Sequence, residues 1–259
     1  MASEPSPAAG PLSPFLPAGT VDYVAELLAG RSMKHRLEVR VSRPRRTKLG
    51  DHRGPGRGRD WHRITVNEDL NPYAFLTTLL HEIAHATTWE KHRGRRVRPH
   101  GSQWKTEFGR LLEPVVATGC LPDDIAAALS RAMRNPAAAT CSDRTLLLAL
   151  AKYDRPQDGL VRVEELPTGG LFCLGAAGGA RLGGRVFRRG RRIRTRYQCF
   201  ESRTGREYRV HALSRVELVV VPAVAVTRTS SAADFAAGIS GSASRPGRRR
   251  PSGARLRLP

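Results

Sequence analysis

The chain has 259 residues, with 44 lysines and arginines against 23 aspartates and glutamates, a formal charge of +21. Its 40% hydrophobic content is enough to bury a core in one or two domains, and no stretch approaches the ~18 uninterrupted apolar residues of a membrane-spanning helix. Four cysteines, Cys120, Cys141, Cys173 and Cys199, lie 21, 32 and 26 residues apart, which excludes a zinc ribbon built on C-x-x-C pairs and fits reduced thiols in a cytoplasmic protein, nucleoid association included.

Five prolines in the first 17 residues, with neither a basic start nor a long apolar run, predict a disordered leader over residues 1–19. From Thr20, the spacing of Val21, Val24, Leu27 and Leu28 predicts a short amphipathic helix ended by Gly30. Leu37, Val39 and Val41 alternate with Glu38, Arg40 and Ser42 as in a half-buried strand, and a second strand is expected near Trp61 to Asn67. The Arg-, Gly- and Pro-rich segment between them, Arg43 to Arg59, reads as a loop. Residues 31–63 carry 12 basic and 3 acidic side chains; these are either a solvated surface or a rim that contacts phosphates.

Next comes the stretch that organises the chain. Asn71 and Pro72 form an N-cap and first-turn pair, followed by an apolar stripe of Tyr73, Leu76, Leu79, Leu80, Ile83, Ala84 and Thr87. Within this helix stands His81-Glu82-Ile83-Ala84-His85. Residues four apart share a helix face, so both imidazoles can reach one metal ion, while Glu82 beside it can act as general acid/base toward an activated water. The histidines point away from the apolar stripe and are flanked by Thr77, Thr78, Thr88 and Trp89, a pattern that suits a cleft wall better than a solvated face.

Zinc needs a third protein ligand with one position left open. His92 is excluded, because seven residues beyond His85 put it ~10 Å further along the helix. His100 opens a second helical pattern, Trp104, Phe108, Leu111 and Leu112, with Ser102 as a plausible N-cap. Glu107 on that second helix is the alternative, and His100 is preferred.

The runs Leu79-Leu80-His81-Glu82-Ile83-Ala84-His85-Ala86 and His100-Gly101-Ser102-Gln103-Trp104-Lys105 resemble the SprT-like family of zinc metallopeptidases, in which H-E-x-x-H is followed by H-G-x-x-W. The resemblance covers about residues 20 to 120. It implies one Zn2+ ion held by His81, His85 and His100, Glu82 as catalytic acid/base, and a protein substrate. Eukaryotic members cleave proteins crosslinked to DNA, and bacterial members are associated with transcription elongation; both roles are implied by likeness alone. Several relatives carry a cysteine zinc ribbon after the protease core, and this chain departs from them there.

After the second helix, Leu121-Pro122-Asp123-Asp124 opens a helix expected to run through Met133, and residues 144–152 read as another, capped by Asp143. Near Pro156 the pattern changes to short strands. Ile193, Thr195, Tyr197 and Cys199 alternate with Arg192, Arg194, Arg196 and Gln198, which predicts that these three arginines project from one face of one strand, where they either contact nucleic acid, contact a protein partner or have no partner. A turn at residues 202–205 leads to Tyr208 and Val210, and Val216 to Val221 reads as the last strand.

The expected architecture is α+β: a zincin-like helical core with a short antiparallel sheet over residues 20–155, a small basic all-β, barrel-like domain over 156–224, and a disordered basic tail over 225–259. The expected activity is zinc-dependent peptide-bond hydrolysis associated with DNA. The alternative is a weakly active or non-catalytic nucleic-acid-binding factor for transcription elongation or repair, with a structural zinc core. A protein substrate, DNA or another polyanion, and no membrane are the expected partners.

Overall fold

The computed structural model describes residues 10–29, 33–45, 48–56, 58–92, 97–134, 143–156, 159–174 and 183–219. The chain divides into two compact units between residues 157 and 158. Among the described residues, no helix is long and apolar enough to cross a membrane.

Among the described residues, the first unit has three strands, five α-helices and one 3-10 helix. β1 (Leu37–Ser42), β2 (Gly50–Arg53) and β3 (His62–Asn67) form a sheet in the order β1-β3-β2. The expected antiparallel sheet is corrected to a mixed one. β1 and β3 run parallel, with Leu37 opposite His62 and Ser42 opposite Asn67, while β2 is antiparallel to β3. A parallel pair needs a long crossover, and the segment read as loop supplies it. β2 lies inside that segment.

Arg45, one of the arginines read as surface charge, is tied into this connection. Its Nε donates to Asn67 Oδ1 at 2.8 Å and a terminal nitrogen donates to Thr65 Oγ1 at 2.8 Å. The Asn67 amide donates back to the carbonyls of Arg45 and Lys48. Buried Asn67 therefore satisfies its own polar atoms by holding the loop against the sheet.

Against the sheet lies α2 (Pro72–Lys91), preceded by α1 (Val21–Leu28) and followed by α3 (Ser102–Ala117), α4 (Asp123–Arg134) and α5 (Arg144–Ala151). The expected caps are present at two of these helices. Asn71 accepts a hydrogen bond from Ala74 N–H, and Asp143 accepts from Thr145 and Leu146 N–H. At α3 the N-cap is Gly101, not Ser102, which occupies the first helical position. The expected end of α1 at Gly30 lies outside the described residues.

α2 is the centre of the core. Its stripe residues Leu76, Leu79, Leu80, Ile83 and Ala84 are buried together with Ile64 and Val66 of β3, Trp104, Leu111 and Leu112 of α3, and Ile125 and Leu129 of α4. The disordered leader expected over residues 1–19 is corrected over residues 10–19. Gly10–Phe15 forms a 3-10 helix, Leu12 and Leu16 are buried in the same core, and Phe15 stacks on Phe75 with ring centroids 5.2 Å apart. Prolines removed the helical periodicity that would have shown this segment to be ordered, but its leucines still find apolar surface.

The second unit is a six-stranded antiparallel sheet: β4 (Leu160–Arg162), β5 (Leu171–Cys173), β6 (Val186–Ile193), β7 (Arg196–Glu201), β8 (Glu207–His211) and β9 (Arg215–Leu218), in the order β4-β9-β5-β6-β7-β8. No pairing joins β4 to β8 among the described residues, so the barrel-like expectation is corrected to an open sheet. Val163, Phe172, Phe187, Tyr197, Cys199, Tyr208, Val210 and Val216 form its core. β6 carries a bulge between Arg189 and Arg192, where a side chain on Gly190 would meet the carbonyl oxygen of Gln198 at 2.8 Å.

Asn71 generates the first prediction. Besides capping α2, its amide nitrogen donates to the Leu150 carbonyl at 3.0 Å and to Asp154 at 2.7 Å, joining the start of α2 to the end of α5. Asn71→Ala removes the cap and both bonds to the end of α5, so it lowers the stability of the first unit by about 2 kcal/mol. Chemical denaturation followed by tryptophan fluorescence reads this unit, since Trp61, Trp89 and Trp104 all lie in it.

Candidate metal centre

His81 and His85 lie on consecutive turns of α2, where almost every residue is enclosed. His81 is 6% exposed and Glu82 is 8% exposed. Mid-helix Thr77 and Thr88 are accommodated because their hydroxyls donate to the carbonyls of Tyr73 and Ala84, four residues back. Thr77, Thr78, Thr88 and Trp89 line the same cleft as the histidines, a cavity of about 720 Å³ bounded opposite by Lys48 to His52.

His100 arrives from the turn before α3. Its φ is +57°, a left-handed backbone conformation that histidine adopts more readily than most residues. The next residue must be small: a side chain on Gly101 would meet the carbonyl oxygen of Arg98 at 2.8 Å, within a turn closed by the Gly101 N–H bond to that oxygen. Trp104, one turn into α3, is 1% exposed and packs against all three imidazoles, with centroid distances of 4.5 Å to His81, 5.3 Å to His85 and 4.8 Å to His100. The H-G-x-x-W spacing thus has a physical reading: imidazole, tight turn, and the wall that packs against the imidazole.

These elements bring three nitrogens together. His100 Nε2 is 3.0 Å from His81 Nε2 and 3.1 Å from His85 Nε2, and all three lie within 4.8 Å of one another. Around a zinc ion with bonds of ~2.0–2.1 Å, tetrahedral neighbours would be ~3.3 Å apart, so the donor set fits a metal ion with small adjustment. Burial, followed by mutual repulsion, pushes the imidazoles toward the neutral state a ligand needs: His81 down to about 2 and His85 down to about 4, while His100 is lowered by burial and then by Lys105. The alternative third donor, Glu107, is elsewhere engaged. Its carboxylate pairs with Lys91 Nζ at 2.7 and 2.8 Å and with Arg110 at 3.1 Å.

Glu82 faces β2. A side chain on Gly50 would meet Glu82 Oε1 at 2.6 Å, so only glycine allows the strand backbone to pass this close. Burial, and then the negative charge of Asp51, raise the Glu82 carboxyl to about 7. A carboxyl poised near neutrality can both take and return a proton.

Several site residues carried no sequence signal. His52 on β2 stacks parallel to His85, with centroids 6.2 Å apart, and its Nε2 is 2.9 Å from His62 Nδ1. His62 Nε2 in turn lies 3.0 Å from Glu90 Oε1, which also meets His35 Nδ1 at 2.6 Å. His35, His62 and Glu90 form a second group whose donor atoms lie within 4.8 Å of one another.

The three arginines expected on one strand face are not so placed. Arg192 ends β6, Arg196 begins β7, and Arg194 sits in the two-residue turn between them with φ of +55°. Arg192 Nε donates to the Arg194 carbonyl and Arg196 to the Arg209 carbonyl. The apolar-basic alternation runs unbroken through a hairpin turn that lacks the usual glycine or asparagine, which is why it reads as one strand. Cys120, Cys173 and Cys199 are free thiols, and Cys141 lies outside the described residues.

The sequence model of the SprT-like family matches residues 22–118, which span α1 to α3 and hold the three converging histidines and Glu82. No curated protein and no solved structure matches the chain.

The raised carboxyl of Glu82 gives a pH-dependent stability with a definite sign. Its folded pKa, about 7, lies above the unfolded value of 4.5, so its contribution is present below pH 4.5 and is lost as pH rises through 7. In metal-free protein, the stability of wild type relative to Glu82→Gln therefore falls by about 3 kcal/mol across this window. Denaturation midpoints of the two proteins at matched pH check it, because the histidine contributions are common to both.

Proposed function

We propose that this SprT-like family member is a metallopeptidase with a zincin-like core, in which His81, His85 and His100 hold one zinc ion and Glu82 moves the proton. The observation that supports it most is the meeting of three imidazole nitrogens at edges of 3.0 and 3.1 Å beside a carboxyl raised to about 7. A zinc ion bound there supplies Lewis-acid polarisation of a carbonyl and acidifies a water. Glu82 takes the proton of the attacking water and delivers it to the leaving amine. The absence of a side chain at Gly50 leaves room for the Glu82 carboxyl against β2.

β2 is an edge strand and borders the cleft. Its outer backbone groups suit an extended peptide, which would pair as an added strand and pass beneath Glu82. This selects unfolded or loop segments over helices as substrates.

A polyanion partner is part of the same reading. Arg40, Arg45, Lys48, Arg53 and Arg63 surround a shallow hollow on the β1-β3-β2 sheet, with Arg40 and Arg53 side chains each 59% exposed. Lys48 and Asp51 border both this hollow and the main cleft. DNA held along these residues would bring an attached protein to the site, which supports DNA-associated proteolysis; binding without any cleavage would favour a nucleic-acid-binding factor instead.

Glu82→Gln is expected to retain zinc at this site while losing hydrolysis of a casein substrate by at least ~100-fold, and His100→Ala to lose the zinc of this site and the hydrolysis with it. Zinc content and proteolysis, each measured with and without single-stranded DNA over a salt titration, check these outcomes. Wild-type levels of cleavage by Glu82→Gln would remove the proposed mechanism, and DNA-independent cleavage would remove the polyanion from it.

A further inference from the structure

His35, His62 and Glu90 are far apart in sequence and come from three elements: the approach to β1, the first residue of β3, and the last turn of α2. Their side chains meet at one point. Both imidazoles direct a ring nitrogen at the same oxygen, Glu90 Oε1, at 2.6 Å from His35 Nδ1 and 3.0 Å from His62 Nε2. From this convergence we propose a second divalent-metal site, of the zinc type, that clasps the end of the active-site helix to the sheet.

The donor chemistry is appropriate. Two imidazoles and one carboxylate are a set that zinc takes up, with a water completing four-coordination. The ligand atoms already lie within 4.8 Å of one another, and for tetrahedral neighbours ~3.3 Å apart on an ion with bonds of ~2.0–2.2 Å, Glu90 Oε1 would move away from His35 Nδ1, now 2.6 Å distant, by about 0.7 Å and from His62 Nε2 by about 0.3 Å.

The surroundings are those of a built site. His62 is wholly buried, and the side chains of Glu90 and His35 are 8% and 20% exposed. Trp89 stands edge-on to both imidazoles, at 5.4 Å from His35 and 5.1 Å from His62, and forms the wall that excludes water on that side. His35 keeps enough exposure to admit an ion and its fourth ligand.

His62 also has the outer partner that metal-binding histidines usually have. Its second nitrogen, Nδ1, is hydrogen-bonded to His52 Nε2 at 2.9 Å, which fixes the ring and leaves Nε2 for the site. The backbone reinforces the pairing, because His62 N–H donates to the Arg36 carbonyl beside His35, and His35 N–H donates to Glu90 at 3.1 Å.

The two ions would not share chemistry. His52 stands between the sites, with ring centroids 5.1 Å from His62 and 6.2 Å from His85, whereas cooperating metal pairs lie ~3.5–4 Å apart. The second ion is therefore structural. It would hold His62, and through it His52, behind the His85 ring.

Zinc per chain, measured by mass spectrometry on the full-length protein after dialysis, tests the site. Wild type is expected to hold about two ions; Glu90→Gln and His35→Ala about one each; His100→Ala about one; and the Glu90→Gln/His100→Ala double variant none. Glutamine keeps a hydrogen-bond acceptor for the two histidines, so circular dichroism unchanged from wild type separates a lost ligand from a lost fold. The proposal is overturned if wild type holds one ion that His100→Ala removes, or if Glu90→Gln and His35→Ala hold as much zinc as wild type. It stands apart from the peptidase reading: a chain with two ions and no hydrolysis supports the clasp and sinks the peptidase.

Discussion

Three imidazole nitrogens are held within 4.8 Å of one another, and most of the first unit serves to keep them there. Neutral rings whose lone pairs face one another in a partly buried cleft wall are an unfavourable arrangement without a cation. The core makes up the difference. α2 is packed by sheet, α3 and α4 along its apolar stripe, and Trp104 closes the remaining side against all three rings. The hydrophobic contacts are thus what allow a polar constellation to exist at low dielectric, where its electrostatic effects are strongest.

The same constraint explains residues that would otherwise look arbitrary. Gly50 is glycine because the Glu82 carboxyl occupies the space of a side chain, and Gly101 is glycine because His100 can be aimed only from a turn that folds back on Arg98. His100 itself tolerates a left-handed backbone. Lys91 withdraws Glu107 from competition. Each of these choices reduces the freedom of a potential donor, and preorganisation of that kind would give a metal site its affinity and specificity.

Much of this was legible in the sequence wherever periodicity and capping act locally. Asn71-Pro72, the stripe along α2 and the Trp104-Phe108-Leu111-Leu112 pattern of α3 each depend on neighbours within two turns, so a linear reading recovers them. What escaped it depends on distant partners. β2, Gly-Asp-His-Arg, has no strand-like alternation, since its residues are dictated by Glu82 and His62 on other elements rather than by a pleated core face. The direction of β1 against β3 follows from that hidden strand. His35, His62 and Glu90 span 55 residues and form no motif. In the second unit, alternation between Arg192 and Gln198 was regular but passed through a turn, so periodicity alone assigned one strand where there are two. Leu12 and Leu16 were masked by the prolines around them.

The central claim is that His81, His85 and His100 share one ion. Anomalous diffraction from crystals of the zinc-loaded protein, recorded on either side of the zinc edge, tests it most directly. The account predicts a peak ~2 Å from each of the three Nε2 atoms, with the fourth direction open toward β2. A peak that omits His100 in favour of Glu107, or no peak among these rings in crystals that contain zinc elsewhere, would contradict it.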